Sequence, residues 1–461
     1  MLKKLRCLAL CFLLGFCAVA KAEEQRLQPA KIEYSSKQIE GAKKIKHVIV
    51  IFQENWSFDS LYGQFPNANG IAKAKSATTQ QIDKMQTASP SLPPCIDTRT
   101  HQKYPTIPLN LPNGPFDLAP YIPLTQNTGD LTHRFYQEIA QINGGKMDAF
   151  ARESDAGGFV MSYYDITSTR LGKISQQYTL CDNFFHSFYG GSLLNVLALF
   201  SAQMPTWENA PAHLVAKLSP DGTLLKDGKV SPDGYLINDA EPYYIPHKAN
   251  VSDADRVPPL TTKTIGDLLS EKNISWGWYA EGWADAIQGK ASPAFTFHYQ
   301  APTYFKQFSP GTKERIDHLF DLSQFYKQLD EGTLPAVCFI RPFHTNSQHP
   351  GDGALLTGLN WSADLIERIQ KSSLWKDCAI IATYDENGGR WDHVPPPNID
   401  RFGPGTRIPA VIISPFAKKS FVDHTIYETV SILKFIEERW ELQPLSTRDK
   451  EANNLLNAFE F

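Results

Sequence analysis

The sequence predicts an α/β fold with a largely parallel central sheet that is flanked by helices. Residues 47–52 and 379–384 are apolar and rich in β-branched side chains, which is typical of strands buried on both faces. Residues 334–340 and 407–415 contain further runs of this kind, and helical patterns separate the runs along the chain. Alternating strands and helices favour a parallel sheet with helices packed on its faces.

The elements between these strands are predicted from local patterns of helix and turn residues. Residues 203–262 contain two Ser-Pro-Asp-Gly units, which are typical of tight turns, and predict a small β-hairpin insertion or lid. Residues 71–130 lack periodicity and predict a long wrapping excursion. The remaining predicted elements are, in chain order, a polar arm (23–44), a helix (131–143), a turn that opens into a buried helix (181–200), a capped helix (261–272), an aromatic strand (274–279), a helix (362–369) and a terminal helix after residue 425.

The N-terminus has the pattern of a secretory signal peptide. Basic residues precede an apolar segment at residues 8–19, and the Ala-Lys-Ala sequence at 20–22 has small residues at the two positions that a cleavage site requires. We predict a signal peptide over residues 1–22 and one domain over residues 23–461. The apolar segment is too short to span a membrane, and no later run is long and uncharged enough to do so. We therefore expect an exported bacterial protein, secreted or periplasmic, with no transmembrane segment.

Composition limits the classes of function that the chain can serve. The chain has 461 residues, of which 42% are hydrophobic, enough for the core of a large enzyme. A net charge of −4 gives no reason to expect a nucleic-acid partner. Export permits disulfides, and among the cysteines after the signal peptide a Cys95–Cys181 bridge is the favoured pairing. Cys338 and Cys378 lie in apolar runs and are expected to be buried thiols.

Polar residues follow two of the predicted strands at the point where each strand ends. Glu54 and Asn55 come directly after the first apolar run. Asp385 and Glu386 come directly after the run at 379–384. If the two runs are neighbouring parallel strands, these side chains meet at one edge of the sheet, where open α/β sheets bind ligands. Clustered carboxylates raise one another's pKa unless a cation neutralises them, and oxygen ligands suit a divalent metal. A solvated acidic turn is the alternative interpretation.

Ser192 stands where a Gly-Gly turn opens into an apolar helix. The first turn of a helix presents free N–H groups to an anion, and glycines let the backbone approach a ligand closely. A serine at this position is suited to attack a phosphate or an acyl group. The alternative is that Ser192 only caps the helix, which is a common role of serine. No Gly-x-Ser-x-Gly elbow surrounds Ser192, which disfavours an ordinary carboxylic-ester hydrolase.

A set of short motifs extends over nearly the whole mature chain. The most specific are residues 384–389 and 392–397, which read Tyr-Asp-Glu-Asn-Gly-Gly and Asp-His-Val-Pro-Pro-Pro. The other motifs are residues 53–59, 65–66, 70, 182–185, 190–195, 349–351, 407–409, 414–415 and 423–425. In content and order they resemble a bacterial phosphoesterase family of secreted phospholipases C and related metal-dependent acid phosphatases. This family lies within the alkaline-phosphatase-like superfamily, so the resemblance implies that fold.

The resemblance also implies roles for particular residues. Glu54, Asn55 and the pair at 385–386 would hold a divalent metal ion, for which zinc is favoured. Ser192 would attack phosphorus and form a covalent phospho-serine. The residues expected to bind phosphate oxygens or protonate the leaving group are His133, Lys146, His298 and His349. His349 is the better-matched proton donor, and for His133 a helix cap or a core contact is the alternative.

The implied activity is phospholipase C hydrolysis of phosphatidylcholine-like lipids, with a broad acid phosphatase as the alternative. Aromatic stretches at 276–283 and 295–304 are suited to line a pocket for an apolar tail. Tyr299 and Val196 stand where the family often has histidine, which puts substrate preference in question and leaves hydrolysis in place. The expected partners are a phospholipid or a small phosphate ester, with peripheral contact to membrane lipid. A non-catalytic protein that binds metal or lipid is the remaining alternative.

Overall fold

An eight-stranded sheet forms the centre of the structure, a computed structural model that describes residues 30–461. In chain order its strands are β1 (His47–Gln53), β2 (Thr179–Cys181), β3 (Trp276–Ala280), β4 (Leu319–Asp321), β5 (Val337–Arg341), β6 (Cys378–Tyr384), β7 (Ala410–Ile413) and β8 (Phe421–Asp423). Their order across the sheet is β4-β3-β5-β1-β6-β7-β2-β8. The predicted signal peptide, residues 1–22, lies outside the described residues.

Strand β1 lies in the interior of the sheet and pairs in parallel with both β5 and β6. In the register with β6, His47 lies opposite Cys378 and Gln53 lies opposite Tyr384. Every residue of β1 after His47 is buried, as expected for an apolar strand that is covered on both faces. The prediction that the two apolar runs form neighbouring parallel strands is therefore confirmed.

Strand β7 runs against the direction of its neighbours. It pairs antiparallel with β6 on one side and with β2 on the other, whereas β2 and β8 pair in parallel. A parallel connection between adjacent strands needs a crossover, usually an α-helix, and the structure has no α-helix between β6 and β7. The sheet is thus largely parallel, as predicted, with one reversed strand.

Helices flank the sheet. The α-helices are α1 (Ser36–Ala42), α2 (Phe58–Tyr62), α3 (Ser76–Thr79), α4 (Phe135–Ile142), α5 (Arg170–Ser175), α6 (Ser192–Ser201), α7 (Ile265–Glu271), α8 (Trp283–Ala286), α9 (Lys313–His318), α10 (Leu322–Glu331), α11 (Leu355–Lys371), α12 (Thr429–Trp440) and α13 (Thr447–Glu451). Helix α6 is buried along its whole length and contacts α12. In the described part of the chain, no helix is long and apolar enough to cross a membrane.

The predicted insertion contains a short hairpin. Lys217–Leu218 pairs antiparallel with Leu224–Lys226. Both Ser-Pro-Asp-Gly units close as turns, because Gly222 N donates to Ser219 O at 2.9 Å and Gly234 N donates to Ser231 O at 3.0 Å. The hairpin prediction is confirmed, whereas the insertion boundaries at 203 and 262 stay predictions. Three further two-stranded sheets pair Ile96–Asp97 with Gln102–Lys103, Phe116–Asp117 with Ser162–Tyr163, and Phe184–Phe185 with Tyr427–Glu428.

The predicted Cys95–Cys181 disulfide is wrong. All four cysteines among residues 30–461 are buried free thiols. Cys181 ends strand β2 of the eight-stranded sheet, whereas Cys95 forms a β-bridge with Gly157 in another part of the chain. The prediction that Cys338 and Cys378 are buried thiols is confirmed.

Candidate active site

Four oxygen-bearing side chains meet where strands β1 and β6 end. Glu54 and Asn55 follow β1, and Asp385 and Glu386 follow β6. None of the four is exposed to solvent. The backbone N–H groups of Asn55 and Glu386 donate to Asp385 Oδ1, at 3.0 and 2.8 Å. This cluster, named here the carboxylate cluster, is thus formed by the parallel register of the two strands, and the solvated-turn alternative is wrong.

The chain leaves the carboxylate cluster through a turn that requires glycine. Gly388 and Gly389 have φ angles of 61° and 68°, a region that other residues rarely adopt. A Cβ atom on Gly388 would lie 2.4 Å from the carbonyl oxygen of Asn55. The Gly-Gly pair therefore allows the loop after Glu386 to pass directly against the loop after β1.

Three oxygen atoms of the carboxylate cluster lack hydrogen-bond partners. They are Asn55 Oδ1, Asp385 Oδ2 and Glu386 Oε1, and all three are buried. Buried polar atoms are nearly always paired, so unpaired oxygens on three residues of the cluster are consistent with a ligand that accepts their lone pairs. Carboxylate and amide oxygens are ligands that hard divalent cations prefer. The residues therefore fit a divalent metal ion.

Electrostatics supports the same assignment. Burial raises the pKa of Glu54 well above its ordinary value, the charge of Asp385 raises it further, and Arg341 only partly opposes this. Burial and the charge of Asp385 likewise raise the pKa of Glu386 well above its ordinary value. These carboxylates destabilise one another when ionised, and a bound cation would remove the repulsion.

Without metal, the folding stability of the protein should fall as pH rises. A carboxyl group whose pKa is raised by folding binds its proton more tightly in the folded state. Its contribution to stability is therefore lost as the pH rises from the pKa of the group in the unfolded chain, about 4.3, toward its pKa in the folded protein. We expect the chelated protein to unfold at lower urea concentration at about pH 8 than at about pH 5. Glu386→Gln should flatten this dependence, and a chelated protein that is more stable at the higher pH would contradict it.

Ser192 is the first residue of α6, and its hydroxyl points to the carboxylate cluster. Ser192 Oγ donates to Glu54 Oε2 at 2.9 Å. The N-cap position is Gly191, and Asp239 Oδ1 accepts from the backbone N–H of Leu193 at 3.0 Å. The capping interaction therefore comes from Asp239, which was not identified from the sequence. The alternative that Ser192 serves as the helix cap is wrong.

His133 and His349 both lie beside the side-chain amide of Asn55. Asn55 Nδ2 is 3.0 Å from His349 Nε2 and 3.4 Å from His133 Nε2. His133 Nδ1 is 2.5 Å from Leu131 O, and His349 Nδ1 is 2.6 Å from Pro350 O. Since each Nδ1 donates to a carbonyl oxygen, each Nε2 is left on the side of the cluster. Burial lowers the pKa of His133, but Asp130 and Asp239 outweigh burial and raise it overall.

Further acidic groups hold the histidines in place. Asp352 Oδ2 lies 3.1 Å from His349 Nδ1 and 3.0 Å from His344 Nδ1. His298 Nε2 lies 3.7 Å from Asp239 Oδ2, on the side of the Ser192 helix. Burial lowers the pKa of His298, although the charge of Asp239 opposes this. The structure thus gathers three of the four predicted phosphate-binding residues around Ser192 and the carboxylate cluster.

Lys146, the fourth of them, lies elsewhere. Its side chain is exposed and lines a separate cavity with Asn69 and His393. Within residues 30–461 it makes no ion pair with any member of the carboxylate cluster. The structure therefore does not bring Lys146 to the predicted site.

Arg341 is a buried site residue that the sequence analysis missed. It ends β5, next to β1, and forms an ion pair with Glu54 Oε1 while donating to Phe52 O at 2.8 Å. Its guanidinium lies 4.2 Å from the ring centroid of Tyr299, which occupies one of the positions where the family often has histidine. Because Arg341 pairs with Glu54 Oε1, the other carboxylate oxygen, Oε2, accepts the hydrogen bond from Ser192.

Comparisons with known proteins identify the family of the chain. A family model described as the Phosphoesterase family matches residues 45–443. Phospholipase C A of Mycobacterium tuberculosis is 24% identical over 90% of this chain and 77% of its own length. The non-hemolytic phospholipase C of Pseudomonas aeruginosa is 22% identical over 91% of this chain and 58% of its own length.

Among solved structures, a protein in the alkaline phosphatase superfamily from Vibrio parahaemolyticus is 11% identical, with a TM-score of 0.36 and 73% of each chain covered. The family assignment itself rests on the family model, which spans most of the sequence and includes both strands that carry the carboxylate cluster. The chain belongs to the Phosphoesterase family and is a hydrolase that acts on phosphoester bonds.

Proposed function

We propose that the protein is a metal-dependent phospholipase C that hydrolyses phosphatidylcholine-like lipids, with Ser192 as the nucleophile. The observation that carries the proposal is the 2.9 Å contact between Ser192 Oγ and Glu54 Oε2, beside three buried oxygens that lack partners. Relatives named phospholipase C that align over most of this chain support the choice of a lipid diester. Export through residues 1–22, peripheral contact with membrane lipid and zinc as the metal are parts of the same proposal.

In this proposal Ser192 Oγ attacks phosphorus and the bond from phosphorus to the diacylglycerol oxygen breaks. Glu54 Oε2 accepts the hydrogen bond of the serine hydroxyl and is placed to take its proton. The positive end of the α6 dipole lies at Ser192 and favours the anionic phosphoryl group. Glu54, Asn55, Asp385 and Glu386 would hold a divalent cation, which would neutralise charge on the transferring phosphoryl group and lower the pKa of the nucleophile. Water then releases the phosphorylated head group from the serine.

His133 and His349 supply the leaving-group proton in this scheme. Both place Nε2 within 3.4 Å of Asn55 Nδ2, so both rings lie beside one of the metal-ligand residues. The raised pKa of His133 favours its protonated form at mildly acidic pH. A protonated imidazole donates to the departing oxygen as that oxygen gains charge. His298 lies near Asp239 on the opposite side and completes the polar wall of the site.

A broad acid phosphatase is the second candidate function. The histidines beside the carboxylate cluster, His133 and His349, favour it. A phosphate monoester carries one more negative charge than a diester. Protonation of His133 at acid pH would supply a cation for that charge, in line with its raised pKa. The two candidates share the nucleophile and the metal, and differ in substrate and pH optimum.

The test is hydrolysis of p-nitrophenylphosphorylcholine and p-nitrophenyl phosphate side by side, with and without chelator. Chelator-sensitive preference for the choline diester is the expected result, followed by release of diacylglycerol from phosphatidylcholine vesicles. Preference for the monoester at acid pH would replace the proposal with the acid phosphatase. Absence of activity on both compounds after metal is restored would indicate a non-catalytic binding protein.

A further inference from the structure

A second cavity, of about 440 Å³, lies beside the segment that follows the carboxylate cluster. This volume is in the range of small-molecule sites. Two features of the sequence that the catalytic proposal does not use line it: Lys146, and the His-Val-Pro part of the Asp-His-Val-Pro motif, at residues 393–395. Within residues 30–461, no residue that lines this cavity pairs with a member of the carboxylate cluster. The two sites are therefore chemically separate.

His393 is the buried polar residue in the wall of this cavity. Its side chain is 7% exposed, and its Nδ1 and backbone N–H both contact Asp59 Oδ2, at 2.6 and 2.7 Å. The ring is thus fixed with Nδ1 toward the protein interior. Nε2 lies 3.3 Å from Oδ1 of Asn69, another residue of the cavity wall. A rigidly held imidazole therefore presents Nε2 at the cavity.

Arg407 contacts both of the carboxylates behind His393. Arg407 Nη2 donates to Asp59 Oδ1 at 3.1 Å, and Arg407 Nε donates to Asp392 Oδ1 at 2.8 Å. All three side chains are fully buried, and the guanidinium contacts both carboxylates directly. The guanidinium therefore offsets part of the repulsion between Asp59 and Asp392, beside which His393 lies.

The cavity wall carries an excess of positive charge. Lys73, Lys75 and Lys146 line it, against one carboxylate, that of Asp148. Asp148 Oδ1 already accepts from Asn143 Nδ2 at 2.7 Å. Within residues 30–461 none of the three lysines forms an ion pair. Uncompensated positive charges around a concave surface attract anions.

We propose that this cavity is a binding site for a small phosphate-bearing anion. The three lysines supply the charge, and Asn69 and the rigidly held His393 ring supply polar groups at the wall. Lysine binds phosphate as a point charge, whereas planar carboxylates are better matched by the fork of arginine, which the cavity wall lacks. The site takes either a free phosphate ester or the phosphate of an anionic lipid head group, since both present the same chemistry. It does not depend on which phosphoester the enzyme hydrolyses.

The test is calorimetric titration of the metal-loaded enzyme with inorganic phosphate. We expect two phosphate ions per chain, of which only one competes with p-nitrophenyl phosphate as a substrate. Lys73→Gln/Lys75→Gln should weaken the non-competing phosphate by about tenfold or more and leave competitive inhibition by the other unchanged. The matched control is Lys327→Gln/Lys272→Gln, which removes one exposed lysine from α10 and one from the end of α7. This variant should still bind both phosphate ions. Binding of only one phosphate per chain by the wild type would overturn the proposal. So would binding of the non-competing phosphate by Lys73→Gln/Lys75→Gln with the same affinity as by the wild type.

Sedimentation with vesicles then identifies the source of the phosphate. Phosphatidylcholine vesicles with and without phosphatidic acid are compared for wild type and Lys73→Gln/Lys75→Gln. Loss of the phosphatidic-acid-dependent sedimentation in the variant assigns the site to a lipid head group. Equal sedimentation of both proteins, together with the calorimetric loss, assigns it to a free phosphate ester.

Discussion

Replacement of Ser192 by alanine is expected to reduce kcat for phosphoester hydrolysis by about 10⁴-fold or more. The change removes the attacking oxygen and the hydrogen bond to Glu54 Oε2. Helix α6 should remain in place, because its capping interaction comes from Asp239 and its other residues stay buried. Steady-state kinetics on the preferred p-nitrophenyl substrate measures the loss.

A matched control lies at the other end of the same helix. Ser201 Oγ donates to Leu197 O at 3.0 Å and has no contact with the carboxylate cluster. Ser201→Ala should keep kcat within about twofold of wild type, since it removes only a local hydrogen bond. In wild-type enzyme that is acid-quenched during turnover of p-nitrophenylphosphorylcholine, peptide mass spectrometry should find a phosphorylcholine group on Ser192. Activity of Ser192→Ala close to that of wild type would rule out the serine as nucleophile.

The second large effect is expected for Asp385→Asn, with a loss of about 10³-fold in kcat. Asparagine keeps the oxygen that accepts from the backbone N–H groups of Asn55 and Glu386, so the loop should retain its shape. It replaces the unpartnered Oδ2 by an NH₂ group that cannot bind a metal ion. Metal binding should therefore weaken, which direct titration of the chelated protein with zinc would measure.

The same variant separates a metal site from an ordinary buried acid. In the chelated protein, Asp385→Asn should be more stable than wild type because one of three mutually repelling carboxylates is gone. With metal present the order should reverse, since ligand binding stabilises only the protein that binds it. Asp364→Asn, on the exposed face of α11, should change neither result. A chelated variant less stable than chelated wild type would contradict the assignment.

The site residues that could be predicted are those that come directly after a strand in the sequence. Glu54 and Asp385 were predicted together because each comes next after an apolar run, and parallel strands bring such positions to one edge. Arg341 carries the same signal, since it follows the run at 334–340. It was missed because that rule was applied to two strands and not to the third.

Other positions depend on contacts that no local pattern reports. Lys146 follows Gly144 and Gly145, whose φ angles of 67° and 97° redirect the chain at the end of α4. A predicted helix cannot reveal where its next residue points after such a turn. Asp239 lies in the polar insertion and caps a helix that starts 47 positions earlier, so its role is visible only in three dimensions. The incorrect Cys95–Cys181 pairing has the same cause, because cysteine spacing does not give connectivity.

The central pairing of β1 with β6 also constrains the order in which the protein becomes functional. The two strands that carry the carboxylate cluster are separated by more than 300 positions, with Gln53 opposite Tyr384. Such a high contact order slows folding, because a long loop must close before the pairing is gained. A chain that has emerged only as far as α11 therefore lacks two of the four residues proposed to hold the cation, Asp385 and Glu386. The carboxylate cluster is therefore complete only after β6, in the last third of the polypeptide, has paired with β1.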